Sequence, residues 1–393
     1  MIKIANVRLR GKDKPMTVEV KGGRISNITE YSGESGDFNG KGMLLTESFT
    51  IPHVHLDKVE TGDLIESRTV SIYQLGTDAS ASIELAAEVK KYYDPEVIAS
   101  RITGKLMKAA RKGVTRLRGF IDVDSYAQLK GFEGAVKAKE NVKGVLEFQI
   151  VAFPQQGLIK DREAEGLIEE ALKKGADVVG GIPWIEKTEE DKREHVRIVI
   201  ELAKKHGKPA ALLVDDAPDP RLRTLEYLAD EALKENYVGK VEACHARALE
   251  VYDKESLKRV LGKVKDAGIS LVTNPHTGKF HLPVEEALRS GVNVALGQDD
   301  CNDAYYPYGQ CSPLEVAFLA SHLLWSMDPS GRETIYDMIT WRASKAIGYE
   351  SRLEVGGEAD LVILRHDSVK DAIRYHDDPL YVFKKGDLIF EGI

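Results

Sequence analysis

The chain is 393 residues long, enough for a barrel of about 250 residues with an accessory module beside it. With 42% hydrophobic and 30% charged residues it has the composition of an ordinary globular protein, which excludes fibrous and disordered classes. The formal net charge is -8 with both signs interspersed, so there is no basic stripe for a phosphate backbone and nucleic acid is not an expected partner.

The opening "MIKIANVRLRGKDKPM" lacks the apolar core of a signal peptide, and no segment carries the run of about 18 apolar residues that a membrane helix needs. A cytoplasmic location with no membrane partner is the expectation. The first strand-like pieces, "IKIANVRL" and "TVEVKGGRISNI", are separated by Gly-rich turns and show little helical periodicity. Residues 1–46 therefore read as one part of a small β module.

Residues 47–352 change rhythm. Eight β-branched or apolar runs follow one another: "TESFTIP" ending near Pro52, "VTRLRGFI" from Val114, "VLEFQIVAF" from Val145, "ADVVGGIP" from Ala176, "PAALLVD" from Pro209, "KVEACH" from Lys240, "ISLVTNP" from Ile269 and "VNVALGQ" from Val292. Between them, stretches such as "PEVIASRITGKLMKAARKG", "AEGLIEEALKKG" and "DKESLKRVLGKVKDAG" repeat apolar residues at helical spacing and stop on Gly. Strand–helix units in this number predict an α/β fold, a closed TIM-like (β/α)8 barrel, with its site where the strands end. Residues 353–393, with "ADLVILRH" and "YVFKKGDLIFEG", return to strand-like pattern and complete a β-sandwich module built from both termini.

The predicted strand ends are rich in titratable groups. They carry His53 and His55, Gln155, Trp184, Asp215 and Asp216, His245, His276, and Asp299 with Asp300. Asp is a common helix N-cap after such strands, so each aspartate alone says little. The pair in "PHVHLDK" says more, because side chains two apart on a strand share a face and two imidazoles can reach one ion. Since the first and last strands of a closed barrel are neighbours, His53, His55 and Asp299 are expected to converge. Cys244, Cys301 and Cys311 contain no CxxC pair and read as buried apolar side chains.

"PHVHLDK", "VAFPQQG", "GADVVGGIP", "CHARAL", "NVALGQDDCNDAYYPYG" and "GGEADLVIL", in that order over nearly the whole chain, resemble the cytosine deaminase branch of the metal-dependent amidohydrolase superfamily. The resemblance implies a distorted barrel with a terminal β module and one divalent ion, zinc or iron. It implies hydrolytic deamination of an aminopyrimidine or related cyclic amidine by water that the ion activates. By motif, His53, His55 and Asp299 match metal ligands, and Asp299 is counted among the catalytic residues as well. Gln155 matches a side chain that reads the pyrimidine amide edge, His245 one that polarises the reacting centre, Asp300 the second acid of an Asp-Asp pair, and Tyr305 an aromatic wall.

The fifth strand departs from the family pattern of a histidine followed three residues later by a glutamate. "ALLVDDAPDP" puts Leu213 at the ligand position and Asp216 at that of the proton-shuttling glutamate, one methylene shorter. Removing one ligand of four weakens an ion's binding by roughly two decades without abolishing it. Asp215, Asp216 or His245 turning inward would compensate. Two further family histidines are absent, at "RGFID" and "IPWIE", the latter placing Trp184 at the pocket.

His195, His206, His322, His366 and His376 read as structural, the first two on Lys/Glu-rich helical surface, whereas His276 and His281 remain candidates for lining the pocket. Asp57 and Lys58 are expected to form a buried salt bridge. A catalytically degenerate barrel that binds a small ring ligand stands as the alternative, as does an amidohydrolase with a different ligand set and substrate. The partner in each enzymatic reading is a small cyclic amidine or amide, and a homo-oligomer is compatible with the sequence.

Overall fold

The structure is a computed structural model that describes residues 1–64, 83, 87–303 and 305–392. The eight expected runs form eight parallel strands paired in chain order: Phe49–His55, Val114–Asp122, Glu147–Phe153, Val178–Gly181, Ala210–Val214, Val241–His245, Ser270–Thr273 and Val294–Leu296. The first is longer than its sequence suggests and runs through His55. Its continuation is held by the chain beyond the eighth strand, where Val54 bridges Asp299, the His55 amide donates to the Asp299 carbonyl at 2.6 Å and the Gln298 amide donates to the His53 carbonyl at 2.9 Å. These bonds close the sheet into the expected (β/α)8 barrel.

Helices separate the strands and bury their apolar stripes against them. Pro95–Arg111 starts at Asp94, whose carboxylate accepts from the amides of Glu96 and Val97, and Lys254–Asp266 starts in the same way at Asp253. Glu189–His206 opens with a capping box between Thr188 and Asp191 and ends on Gly207, whose φ of 63° glycine adopts without steric cost.

Inside the barrel, alternate strand residues meet in an apolar cluster that includes Phe120, Phe153, Val178, Leu213, Cys244 and Ala295. One charge pair crosses this interior. Arg118 donates to Glu242 at 3.1 Å and to Gln149 at 2.9 Å, with both charged side chains buried.

The termini form two further four-stranded sheets. One contains Ile2–Val7, Met16–Lys21, Arg24–Glu30 and Phe38–Asn39; the other contains Leu45–Glu47, Leu361–Ile363, Tyr381–Lys384 and Asp387–Glu391. Ile4, Val18, Val20, Leu45, Leu361 and Phe383 belong to one core shared by the two sheets. The C-terminal part differs from its sequence reading in holding a helix, Val369–Tyr375, capped by Ser368. Val369, Ala372 and Ile373 join the main barrel core, so tertiary burial sets the conformation of this segment.

The interior ion pair makes a stability prediction. Arg118→Met strands the Glu242 carboxylate without its cation and should cost about 3–5 kcal/mol in urea unfolding, whereas adding Glu242→Gln recovers most of the loss. An Arg118→Met variant as stable as the parent would contradict the pairing.

Candidate active site

Strand alternation directs His53 and His55 inward, and barrel closure brings Asp299 onto them. Ligand atoms of the three side chains all lie within 4.8 Å of one another, the one such group of histidine, cysteine or acidic side chains among the described residues. His53 Nε2 lies 3.0 Å from Asp299 Oδ1. Phe120 packs edge-on against His53 with ring centroids 4.4 Å apart, and Phe153 against His55 at 5.4 Å. Both aromatics come from strands two and three, so an apolar collar holds the imidazoles.

Burial pushes the pKa values of His53 and His55 down, for His55 with help from the Lys58 ammonium, so both rings favour the neutral form that ligates a metal. Burial also raises Asp299, but His245, His53 and His55 outweigh it and hold the carboxyl well below its usual range. Two imidazoles and one carboxylate are a donor set that suits zinc or ferrous iron, and three protein ligands leave the open position that a catalytic ion needs.

The sixth strand ends on His245, whose Nε2 lies 3.7 Å from Asp299 Oδ1 and whose Nδ1 lies 3.5 Å from Asp216 Oδ1. Neither ring nitrogen has a hydrogen-bond partner, and burial lowers the imidazole to about 4. Asp216 is pushed up to about 6 by burial, against the Arg247 guanidinium that stands 3.0 Å away. The backbone is strained around this cluster: Asp215, His245, Ala246 and Asp299 all have positive φ, at 46°, 71°, 50° and 68°.

Leu213 is buried in the inner apolar cluster, and the fifth strand sends no ligand to the trio. Asp215 does not substitute. Its carboxylate accepts from the Thr224 amide at 2.7 Å, the Thr224 hydroxyl at 2.6 Å and the Leu225 amide at 3.0 Å, which commits it to the start of helix Thr224–Lys234. The expectation that it turns inward is corrected by this capping role.

Gln155 is buried just beyond the third strand. Trp184 sits in a single 3-10 turn, packed against the inner cluster, with its indole N–H lacking a protein acceptor. Asp300 is buried beside Asp299. Burial, Asp303 and Asp299 raise its carboxyl well above the usual range, and Asp303 is itself raised to about 6 by burial. The half-buried Tyr305 follows, its amide donating to Asp303 at 2.9 Å, and its phenol is raised by burial near Lys58, Asp122 and Asp300.

Several groups do more, or other, than their sequence suggests. Lys58 pairs with Asp57 at 3.2 Å as expected, but also with Asp122 at 2.8 Å, and Asp122 in turn holds Lys90 at 2.7 Å. Tyr93 and Asp124 complete this buried cluster, and its two ammoniums pull Asp122 down to about 2 against the effect of burial. His276 Nε2 lies 3.0 Å from the Gln298 carbonyl rather than at the trio, and His281 is half-buried in the same loop.

His195 is structural, as expected, but it lies in the interior rather than on the helical surface. It is fully buried, with Nδ1 2.8 Å from Glu186 Oε1 and Nε2 accepting from the Ile182 amide at 2.9 Å. Arg247 and Thr277 were not singled out by sequence. Arg247 donates to the Thr277 hydroxyl at 2.9 Å, and that hydroxyl approaches Asp299 Oδ2 at 2.6 Å. Their only sequence signal is a place just after strands six and seven. A separate cavity of about 410 Å³ lies among Leu9, Arg10, Met16, Leu45 and Leu353, and its Arg10 is already paired with Glu333 and Asp337.

Residues 70–390 match the amidohydrolase family, so this barrel with its trio at the strand ends belongs to that family. N-isopropylammelide isopropyl amidohydrolase from Pseudomonas sp. strain ADP is 28% identical over 98% of this chain and 96% of its own length. Pterin deaminase from Rhizobium rhizogenes is 25% identical over 87% of this chain and 79% of its own. The crystal structure of 5-methylcytosine deaminase from Klebsiella pneumoniae superposes with a TM-score of 0.92 at 27% identity, covering 100% of this chain and 98% of that one. These likenesses agree with the cytosine deaminase-like branch. No described helix is long and apolar enough to cross a membrane.

His195 gives a pH prediction. Its folded pKa is depressed by burial, so its neutral form stabilises the fold fully above the unfolded value of about 6.5, and that contribution is lost as pH falls. The gap in Tm between wild type and His195→Gln should therefore be largest near pH 8 and narrow towards pH 5. A constant gap would show that the ring carries no such linkage.

Proposed function

We propose that the chain is a metal-dependent deaminase or aminohydrolase of small nitrogen heterocycles, acting on a ring carbon that bears an amino substituent next to a ring nitrogen. The observation that carries this reading is the 4.8 Å convergence of His53, His55 and Asp299 from the two ends of the barrel. Cytosine and pterin share the cyclic amidine N=C–NH2, and ammelide carries the same amino-substituted ring carbon. An aminopyrimidine is thus the simplest substrate and a triazine or pterin its nearest relatives.

His53, His55 and Asp299 would hold one divalent zinc or iron. Bound there, the ion would supply a water with its pKa lowered towards about 7. His245, with a free ring nitrogen facing Asp299, is the group placed to polarise the reacting centre and to hold a proton taken from that water. Asp216 stands beside its Nδ1 at the shuttle position and passes the proton on towards the ring nitrogen. A proton at the ring nitrogen makes the amino-bearing carbon electrophilic; the water oxygen adds to that carbon, and a second proton moved to the exocyclic nitrogen lets the C–N bond break with release of ammonia or an amine.

Gln155 reads the amide edge of the ring, Asp300 in its protonated form donates to a ring nitrogen or oxygen, and Trp184 and Tyr305 close the faces. With Gln155 and Asp300 buried and Trp184 and Tyr305 half-buried, these groups exclude bulk water and strengthen each polar contact to the ring. The cytoplasm is the compartment this reading assumes.

Protein purified without added metal should carry close to one zinc or iron per chain by elemental analysis, and His53→Ala should carry almost none. Leu213→His adds the absent ligand and should tighten zinc binding by roughly two decades. A metal-free wild type that stays metal-free on incubation with zinc and ferrous iron would instead favour a degenerate ring-binding barrel.

A further inference from the structure

We propose that Arg247 and Thr277 are positioning residues for the metal-binding carboxylate. They form a relay from Asp216, after the fifth strand, to the outer oxygen of Asp299, after the eighth, and so supply an anchorage that the fifth strand does not provide through a ligand. The inference rests on the reading of His53, His55 and Asp299 as metal ligands.

Asp299 presents two oxygens with different surroundings. Oδ1 faces His53 Nε2 at 3.0 Å, on the side of the trio, while Oδ2 lies 2.6 Å from Thr277 Oγ1. The Thr277 hydroxyl also lies 2.9 Å from the Asn274 carbonyl, but a hydroxyl has a single proton to donate. Were that proton on the Asn274 side, two lone-pair-bearing oxygens, one of them charged, would face each other at 2.6 Å. The proton therefore goes to Asp299. The hydroxyl's acceptor side is filled by Arg247 Nη2 at 2.9 Å, which sets its orientation.

The other end of the guanidinium, Nη1, stands 3.0 Å from Asp216 Oδ1. A planar fork spans the two partners at once, which a lysine ammonium on a flexible stem would not do. The Arg247 and Asp216 side chains are 15% and 17% exposed, so solvent screens the pair little. The backbone also makes room for it. A Cβ at Gly278 would lie 2.7 Å from Arg247 Cζ, so any larger residue there displaces the guanidinium. A carboxylate with its outer oxygen tethered keeps the inner one aimed at the ion, and loss of such a tether typically lowers metal affinity about 10–100-fold.

Zinc affinity of the metal-free protein, measured by competition with a chromophoric chelator, tests the relay without knowledge of the substrate. Thr277→Val is expected to weaken zinc about 10–100-fold, and Thr277→Ser, which keeps the hydroxyl, to stay within about threefold of wild type. Arg247→Met should weaken zinc comparably, Gly278→Ala should follow it in direction, and the Arg247→Met/Thr277→Val double variant should be no weaker than the worse single, as members of one chain behave.

Circular dichroism of each metal-free variant checks that the barrel is intact, and the Ser/Val comparison at position 277 remains decisive if the Arg247 variant fails to fold. Undiminished affinity in folded Thr277→Val, an equal loss in Thr277→Ser, or additive losses in the double variant overturns the relay alone. A wild type that takes up no zinc overturns the metal reading and the relay with it.

Discussion

Closure of the barrel is the interaction on which the rest depends. The backbone hydrogen bonds that join the end of strand one to the segment after strand eight are the same ones that carry His53, His55 and Asp299 towards one another. The backbone of Asp299 bonds to that of His55, while its side chain faces the imidazole of His53. Folding and assembly of the site are thus one event, and each pair of strands formed between the first and the last narrows the distance left to close. Any slip of register in the sheet would separate the carboxylate from the histidines, since alternate residues on a strand point to opposite faces.

The interior has an apolar floor beneath a mouth of buried polar and titratable groups. Phe120 and Phe153 press on the two imidazoles from below, and Leu213 adds to that apolar floor. Above it stands a ring of acids and bases, Asp216, His245, Asp299, Asp300 and Asp303, with the Lys58 cluster behind. A desolvated floor raises the worth of every polar contact above it and depresses the imidazoles into their neutral, ligating form. Leu213, at the fifth-strand position where the sequence resemblance implies a histidine, belongs to that floor.

How far the sequence reveals this depends on the distance over which each feature is determined. His53, His55 and Asp299 are legible because a period of two and a closed sheet are enough to bring them together. The eight strands are legible from alternating patterns and the Gly stops between them. His195 is misread because "KREHVRIV" looks charged in one dimension, while its partners, Glu186 and the Ile182 amide, lie in a neighbouring loop. Asp215 is a cap rather than a candidate ligand because Thr224 and Leu225 turn back onto it, and the local string "VDDAP" carries no sign of that. Arg247 and Thr277 are invisible for the same reason: their meeting depends on side-chain reach between two loops. The helix at Val369–Tyr375 is decided by burial against the barrel, which terminal strand patterns do not report.

Asp215, His245, Ala246 and Asp299 crowd a conformation that most L-residues avoid, at the ends of strands five, six and eight. Glycine would relax each of them, since it alone adopts that geometry without a steric penalty. At Asp215, His245 and Asp299 the replacement most comfortable for the polypeptide is therefore one that deletes a helix start, an imidazole or a carboxylate from the mouth of the barrel. Robustness and chemistry pull in opposite directions at these positions.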